Sequence, residues 1–257
     1  MKDRYGMLTV RTDSRTCIVM LDRPAKFNAL TYQFWTDLLD LLSDAADDAE
    51  VRVLVLHGAG EHFCAGGDIE GFDELEDIPA RRRYQQMAFG ALRALEVFAK
   101  PTIAAVHGYA LGGGCELTMV ADLVVCDTTA RFGTPEVTVG LMPGLGVVRG
   151  RSVMNLHWLK QMIFTGAQLD AEQALMAGLT TMVVDEGEHL PAALRLADQI
   201  AVQPATALRV AKAILNRGSG EGYDYSVEAT ALLHSTDDQG EGVAAFRERR
   251  QPTFLDR

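Results

Sequence analysis

The chain has 257 residues, enough for one domain with a full hydrophobic core, and its 48% hydrophobic and 23% charged content is that of a folded globular protein. Its formal net charge of -11 disfavours nucleic acid as a partner, because phosphate binding depends on clustered lysine and arginine. No apolar run is long enough to span a bilayer, and the N-terminus MKDRYGMLTV lacks the apolar core of a signal peptide. We therefore expect a cytoplasmic protein with no nucleic-acid partner and no membrane partner.

The first half of the chain alternates between strand and helix patterns. The segments MLTVRT and CIVMLD alternate in polarity and predict a β-hairpin or a meander near the N-terminus. Thr31 is placed to start the next helix, YQFWTDLLDLLSDAADD, whose apolar residues recur at helical spacing. A buried-type strand, VRVLVLHG, follows. A long helix is then expected to end at Lys100, because a residue that precedes proline resists the helical conformation.

The order of strand and helix then repeats. The strand TIAAV is followed by the helix CELTMVA, the strand DLVVCD and the short strand ARFG. Strands that alternate with helices predict an α/β fold with parallel pairing. From Asn155 onward helical patterns dominate, so we divide the chain into a core domain at residues 1–195 and a helical C-terminal region at residues 196–257.

The cysteines and the short basic stretches indicate no special chemistry. The four cysteines form no CxxC pair and have no matching histidine spacing, so we expect reduced thiols and neither a zinc site nor a disulfide framework. The stretches ARRR at 80–83 and RERR at 247–250 are interpreted as solvated helix faces. A basic patch of this kind remains able to meet a small phosphorylated ligand.

Two glycine-rich turns share one design. FCAGGD at 63–68 and GYALGGGCE at 108–116 each follow an apolar strand and lead towards a helix. Glycine lets the backbone approach a ligand closely, and the amides at a helix start are unpaired at the positive end of the helix dipole. If the two turns lie side by side, one amide from each can bind a single carbonyl oxygen, which is an oxyanion hole. The alternative is that these glycines only permit tight turns or close packing.

Two glutamates stand beside these turns in apolar surroundings. Glu116 begins the apolar segment CELTMVA, and Glu136 follows Pro135 in RFGTPEVTVG. Burying a carboxylate costs several kcal/mol unless it is protonated or hydrogen-bonded. Two partly desolvated carboxylates that face one pocket can hold different protonation states, so that one takes a proton while the other gives one. Either glutamate could instead be a capping or surface residue.

The segments FCAGGDI, AVHGYALGGGCEL and ARFGTPEVTVGLMPGLG resemble the successive signatures of the crotonase superfamily, most closely those of enoyl-CoA hydratase. The resemblance covers nearly the whole chain. It implies a spiral of ββα units with a helical C-terminal region that forms a homotrimer or a dimer of trimers. It also implies an acyl-CoA thioester substrate, with no metal and no redox cofactor.

The resemblance assigns roles to particular residues. It places the oxyanion-hole amides on Gly67 and Gly113. It makes Glu116 the residue that activates water for attack at C3, and Glu136 the residue that protonates C2. The remaining substrate contacts that it implies are Ala25, Lys26, Phe27, Ala65, Asp68, Ile69, Tyr109, Gly112, Pro135 and Gly144. Lys26 is the charge partner that we expect for the CoA phosphates, although it could equally be a solvated loop lysine.

Other functions remain to be weighed. LGVVRGRSVM at 145–154 departs from the pattern of many hydratases and borders the acyl pocket, so the preferred acyl chain is left open. GLGVVRG at 144–150 formally resembles a dinucleotide fingerprint, but it lacks an acidic partner about twenty residues on. His62 and Cys64 suggest a thiol nucleophile, but no orienting group is identifiable. An enoyl-CoA isomerase and a non-catalytic acyl-CoA-binding relative are the remaining alternatives; retention of both glutamates favours hydration.

Overall fold

The computed structural model describes residues 1–68, 78–139, 141–216 and 237–255. Its strands are β1 (Arg4–Tyr5), β2 (Leu8–Asp13), β3 (Thr16–Leu21), β4 (Val53–Gly58), β5 (Thr102–Val106), β6 (Tyr109–Leu111), β7 (Leu123–Asp127), β8 (Arg131–Gly133), β9 (Gln168–Asp170) and β10 (Met182–Val184). Its α-helices are α1 (Tyr32–Asp47), α2 (Ile78–Glu96), α3 (Gly113–Val120), α4 (Gly146–Val153), α5 (Leu156–Thr165), α6 (Ala171–Ala177), α7 (His189–Ala201), α8 (Ala205–Leu215) and a last helix at Asp237–Glu248. Short 3-10 helices span Pro24–Lys26 and Pro135–Val139.

The main sheet has seven strands in the order β1-β2-β3-β4-β5-β7-β10. The predicted N-terminal hairpin is confirmed, since β2 and β3 pair antiparallel. From β3 to β10 every neighbouring pair is parallel, which confirms the predicted α/β class. A smaller sheet joins β6, β8 and β9. Strand pairs followed by a helix recur along the chain, as in β2, β3 and α1 and again in β5, β6 and α3.

Both faces of the parallel sheet are covered. Along β4, Leu54 and Leu56 face one apolar core, and Val53 and Val55 face a second core that contains alanines of α7. The two-residue alternation of a strand explains this division, and burial on both faces is why VRVLVLHG reads as an almost continuous apolar run. Among the described residues, no helix is both long enough and apolar enough to cross a membrane.

Helix α1 begins as predicted. The Thr31 side chain accepts a hydrogen bond from the amide of Phe34 at 3.2 Å, which satisfies one of the unpaired donors of the first turn.

The predicted end of the long helix α2 at Lys100 is wrong, because the helix ends at Glu96. There the chain tightens, with the Phe98 amide donating to Leu95, and the buried Phe98 ring enters the core. Lys100 instead caps α1 by donating to the Ala45 and Asp48 carbonyls.

The prediction of unpaired cysteine thiols is confirmed. All four cysteines are free and buried. Burial raises the pKa of the Cys64 thiol to about 12, so this thiol stays protonated at neutral pH. The Cys64 thiol donates to the Asn28 carbonyl at 3.3 Å and is fully buried, which is the environment of a structural cysteine rather than of a nucleophile.

Candidate active site

The two glycine turns lie against each other. They follow β4 and β5, which are neighbours in the parallel sheet, so both turns leave the same edge. Cys64 and Ala110 form a parallel bridge between the turns, in which the Cys64 amide donates to Tyr109 and the Leu111 amide donates to Cys64. A methyl group added to Gly66 would lie 3.5 Å from the amide nitrogen of Gly113. The sequence expectation that these turns meet is therefore correct in its geometry.

Gly67 and Gly113 both line the cleft between the turns. A β-carbon added to Gly113 would lie 3.9 Å from the Gly67 nitrogen. Gly113 is the first residue of α3, where an amide has no partner within the helix. Across the described residues, neither amide donates to a backbone carbonyl outside the regular helices and strands. Two unpaired donors at one point suit an oxygen atom that develops negative charge.

The backbone conformation of these turns requires glycine. Gly112, the residue before α3, has φ +51°, and Gly66 has φ +102°. Both values lie in the region that residues with a β-carbon rarely adopt. A β-carbon at Gly112 would also lie 3.2 Å from Oε1 of Glu136, so the glycine makes room for the glutamate.

Glu116 is buried and held by the start of α4. Its side chain is 6% exposed, and its Oε1 accepts hydrogen bonds from the amides of Leu145 and Gly146, both at 2.8 Å. Burial raises the pKa of Glu116 to about 7. The hydrogen bonds from the Gly146 and Leu145 amides oppose this rise, and the negative charge of Glu136 adds to it. A carboxyl group with this pKa exchanges protons near neutral pH, as a general base must.

Glu136 lies across the same cleft in the 3-10 helix Pro135–Val139. Burial raises the pKa of this carboxyl, although the bond that its own backbone amide donates partly opposes the rise. Its Oε2 is buried without a hydrogen-bond partner among the described residues. A buried oxygen with no donor favours the protonated acid over the carboxylate. The two glutamates therefore meet the same cleft in different surroundings.

Mainly apolar and aromatic side chains form the rest of the cleft wall. The cleft has a volume of about 170 Å³. Its described lining, besides the residues already named, consists of Trp35, Ala65, Tyr84, Gln85, Ala88, Phe89, Val139, Leu141, Met142 and Gly144. Trp35 and Tyr84 join at the wall, with the indole nitrogen 3.4 Å from the Tyr84 hydroxyl. A β-carbon at Gly144 would collide with the Phe89 ring, so this glycine lets the aromatic wall close.

The other predicted contacts that the structure describes lie outside this wall. Ala25, Lys26 and Phe27 form an exposed turn, which reaches the first glycine turn because the Ala65 amide donates to the Phe27 carbonyl at 2.9 Å. Asp68 pairs with Arg23 at 2.7 Å. Tyr109 is 37% exposed and stacks on the His62 ring at 4.2 Å. Ile69 lies outside the described residues.

Sequence reasoning missed several residues that complete the site. Asn28 is fully buried, and its side-chain amide donates to the Ala59 and His62 carbonyls, which fixes the loop before the first glycine turn. The aromatic wall from α1 and α2 also went unpredicted. Phe27 and Asn28 both have positive φ values, which residues other than glycine rarely adopt. The asparagine after an aromatic residue was the one sequence feature that indicated this turn, because asparagine tolerates a positive φ better than most residues.

Comparisons with known proteins agree with this geometry. Residues 11–257 match the model of the family described as enoyl-CoA hydratase/isomerase. A 2,3-dehydroadipyl-CoA hydratase from Escherichia coli (strain K12) is 37% identical, over 97% of this chain and 99% of its own length. A crotonyl-CoA hydratase from Syntrophomonas wolfei is 35% identical, over 98% of each chain. The crystal structure of an enoyl-CoA hydratase from Bacillus anthracis superposes with a TM-score of 0.92 at 28% identity, covering 98% of this chain and 100% of that one.

Proposed function

Because this chain belongs to the enoyl-CoA hydratase/isomerase family, we propose that it adds water across the C2–C3 double bond of a trans-2-enoyl-CoA thioester in the cleft described above. The observation that carries the proposal is the closeness of the unpaired Gly67 and Gly113 amides in a cleft that also contains the buried Glu116 and the half-buried Glu136. Hydratases named in the comparisons, one of them a crotonyl-CoA hydratase, support the same reaction class.

The reaction begins at the thioester oxygen. The Gly67 and Gly113 amides bind this oxygen and draw electron density from the conjugated double bond, so C3 becomes electrophilic. As water adds at C3, negative charge moves to the thioester oxygen, where the two amides stabilise it. One such donor contributes on the order of a hundredfold to a thousandfold in rate.

Proton transfer falls to the two glutamates. Glu116 accepts the proton of the attacking water, and its carboxylate form is stabilised by the Leu145 and Gly146 amides. Glu136, whose Oε2 lacks a donor, delivers its proton to C2 of the thioester enolate. Water thus supplies OH to C3 and a proton to Glu116, and C2 receives the proton of Glu136. Proton exchange with solvent then returns Glu116 to the carboxylate and Glu136 to the acid before the next turnover. The chain and the substrate supply every group in this scheme, so the proposal includes no cofactor and no metal.

The outer part of the substrate extends towards the exposed turn of Ala25, Lys26 and Phe27. Lys26 is an exposed cation there in a protein of net charge -11, which supports a role opposite the CoA phosphates. Ala65, Asp68, Ile69 and Tyr109 belong to the same proposed CoA surface. A homotrimer or a dimer of trimers, built through the region 196–257, remains a prediction from the resemblance. A cytoplasmic location remains a prediction from the apolar pattern of the sequence.

The test is hydration of crotonyl-CoA and of longer enoyl-CoAs, followed by loss of absorbance of the conjugated thioester. Glu116→Gln and Glu136→Gln should each lower the rate by about a hundredfold to ten thousandfold, the range of general acid–base catalysis. Glu172→Gln is the matched control, because Glu172 is an exposed glutamate at the start of α6 and should leave the rate unchanged.

Three outcomes would contradict the proposal. Unchanged rates in both cleft variants would remove the glutamates from the reaction. Turnover of a 3-enoyl-CoA alone would identify an isomerase. Retained CoA-ester affinity without turnover of either substrate would identify a binding protein.

A further inference from the structure

The carboxylate of Glu116 depends on where α4 lies. This helix has eight residues and begins without a side-chain cap at Leu145. The amides of Leu145 and Gly146 donate instead to Glu116, which belongs to α3. A β-carbon at Gly146 would lie 3.5 Å from Glu116 Oε1, so the start of α4 touches the carboxyl group directly. Any shift of α4 therefore changes the hydrogen bonds to this glutamate.

One side chain on α4 binds three other helices or helix ends. Arg149 donates from Nε to the Met119 carbonyl of α3 at 3.2 Å, and from Nη2 to Oδ1 of Asn216 at the end of α8 at 3.3 Å. Its Nη1 lies 3.4 Å from Oε1 of Glu96, the last residue of α2. A guanidinium group has donors in a fixed planar fork, so it reaches all three partners at once; an ammonium group on a flexible stem lacks this geometry.

These contacts are largely buried, and they connect Arg149, Glu96 and Asn216 to one another. The Arg149 side chain is 17% exposed and that of Glu96 is 10% exposed. Asn216 also donates from Nδ2 to the Glu96 carbonyl at 2.9 Å, so all three residues are connected pairwise. The Arg149 guanidinium therefore holds α4 at a point one helical turn from the two amides that donate to Glu116. It holds α4 against α3, which carries Glu116, and against α2 and the end of α8.

We propose that Arg149 is a positioning residue for the hydration reaction, which holds the start of α4 against the Glu116 carboxylate by tying α4 to α2, α3 and Asn216. This inference rests on the proposed function for its kinetic readout, but its structural readout needs no substrate. It also makes the end of α8 part of the support of the active site.

Other groups that act on Glu116 must be kept constant in a test. Within the described residues, the titratable groups coupled to Glu116 are Glu136 from the 3-10 helix, Tyr84 from α2 and the adjacent thiol of Cys115. None of them contacts Arg149 in the described structure. A change at Arg149 thus reaches Glu116 through the helices that Arg149 joins, α4 and α3.

The experiment compares Arg149→Lys, Arg149→Met and Asn216→Ala with the wild type. In 13C-glutamate-labelled protein without substrate, the carboxyl signal that Glu116→Gln removes reports the titration of Glu116. Loss of amide donors disfavours the carboxylate, so the pKa of Glu116 should rise by about one unit in both arginine variants, and less in Asn216→Ala. With crotonyl-CoA at pH 7, kcat should fall about tenfold while KM stays nearly constant.

Arg151→Lys is the matched control, because Arg151 is an exposed arginine on the same helix and should change neither readout. Should Arg149→Met fail to fold, since it leaves Glu96 without this partner, the double variant Glu96→Gln/Arg149→Met and the milder Asn216→Ala carry the test. An unshifted Glu116 titration in folded Arg149 variants would overturn the inference. If the wild type fails to hydrate enoyl-CoAs, the proposed function fails, and the substrate-free titration still decides the role of Arg149.

Discussion

Glu116 and Glu136 enter one cleft from regions built on different principles. Glu116 lies on a regular helix, is 6% exposed and receives two amide hydrogen bonds from α4. Glu136 lies on a 3-10 helix, and its Oε2 is buried with no partner among the described residues. Two chemically identical side chains can thus be prepared for opposite proton transfers by the backbone around them. Four changes test this contrast.

The largest expected effect separates the two glutamates with a substrate that cannot be hydrated. A saturated acyl-CoA such as butyryl-CoA lacks the double bond, but its C2 proton can leave while both amides hold the thioester oxygen. Glu136→Gln should slow exchange of this proton with D2O about a thousandfold, whereas Glu116→Gln should retain most of the exchange. Proton NMR of the acyl-CoA measures the rate. Equal loss in both variants would contradict the division of roles.

The next effect is on stability, and it depends on pH. Burial raises the pKa of Glu116 from 4.5 to about 7, so between these values the folded protein binds more protons than the unfolded chain. Stability therefore falls as pH rises through this window, by up to about 3 kcal/mol for this group. Glu116→Gln should increase the free energy of unfolding at pH 8 by that order and have little effect at pH 4.5. Urea titrations across this range test it, with Glu172→Gln as the control; a gain independent of pH would contradict it.

A smaller effect concerns the space between the turn and Glu136. Gly112→Ala should destabilise the protein by about 1–2 kcal/mol, because φ is +51° at this position and the new methyl group would meet Glu136 Oε1. Gly90→Ala is the matched control, since a β-carbon there meets nothing within 4 Å and Gly90 lies inside α2. That substitution should stabilise by about 0.5–1 kcal/mol. Thermal unfolding compares the two; equal effects would refute the close approach of Gly112 to Glu136.

The smallest effect is electrostatic coupling across the cleft. The charge of Glu136 raises the pKa of Glu116, after burial and against the Gly146 amide. Glu136→Gln should therefore lower the pKa of Glu116, and the Glu116 carboxyl signal in a 13C titration measures the shift. A pKa that stays unchanged or rises would show that the two carboxyl groups do not interact.

Much of this arrangement could be predicted from local sequence. The hairpin, the Thr31 cap and the two glycine turns follow from patterns a few residues long, and these patterns act where the chain forms them. The meeting of the two turns follows from one further rule, because neighbouring parallel strands end at the same edge of a sheet.

What could not be predicted depends on contacts between distant segments. Helix α4 has no capping side chain, and it contains two glycines and three valines, which are weak helix formers. Its first amides are satisfied instead by Glu116, about thirty residues earlier in the chain. The contacts of Arg149 with Glu96 and Asn216 join residues from three separate helical regions. No spacing in the sequence records them.

The bridge between Cys64 and Ala110 has a consequence for how the cleft responds to its ligand. Because backbone hydrogen bonds join the two turns, neither turn can move relative to the other without breaking them. Water molecules must reorient around a developing negative charge. The Gly67 and Gly113 amides, in contrast, are already in place before the substrate binds. Occupancy by a thioester should consequently leave the main chain of both turns where it stands, and the motions that admit and release substrate must belong to other parts of the molecule.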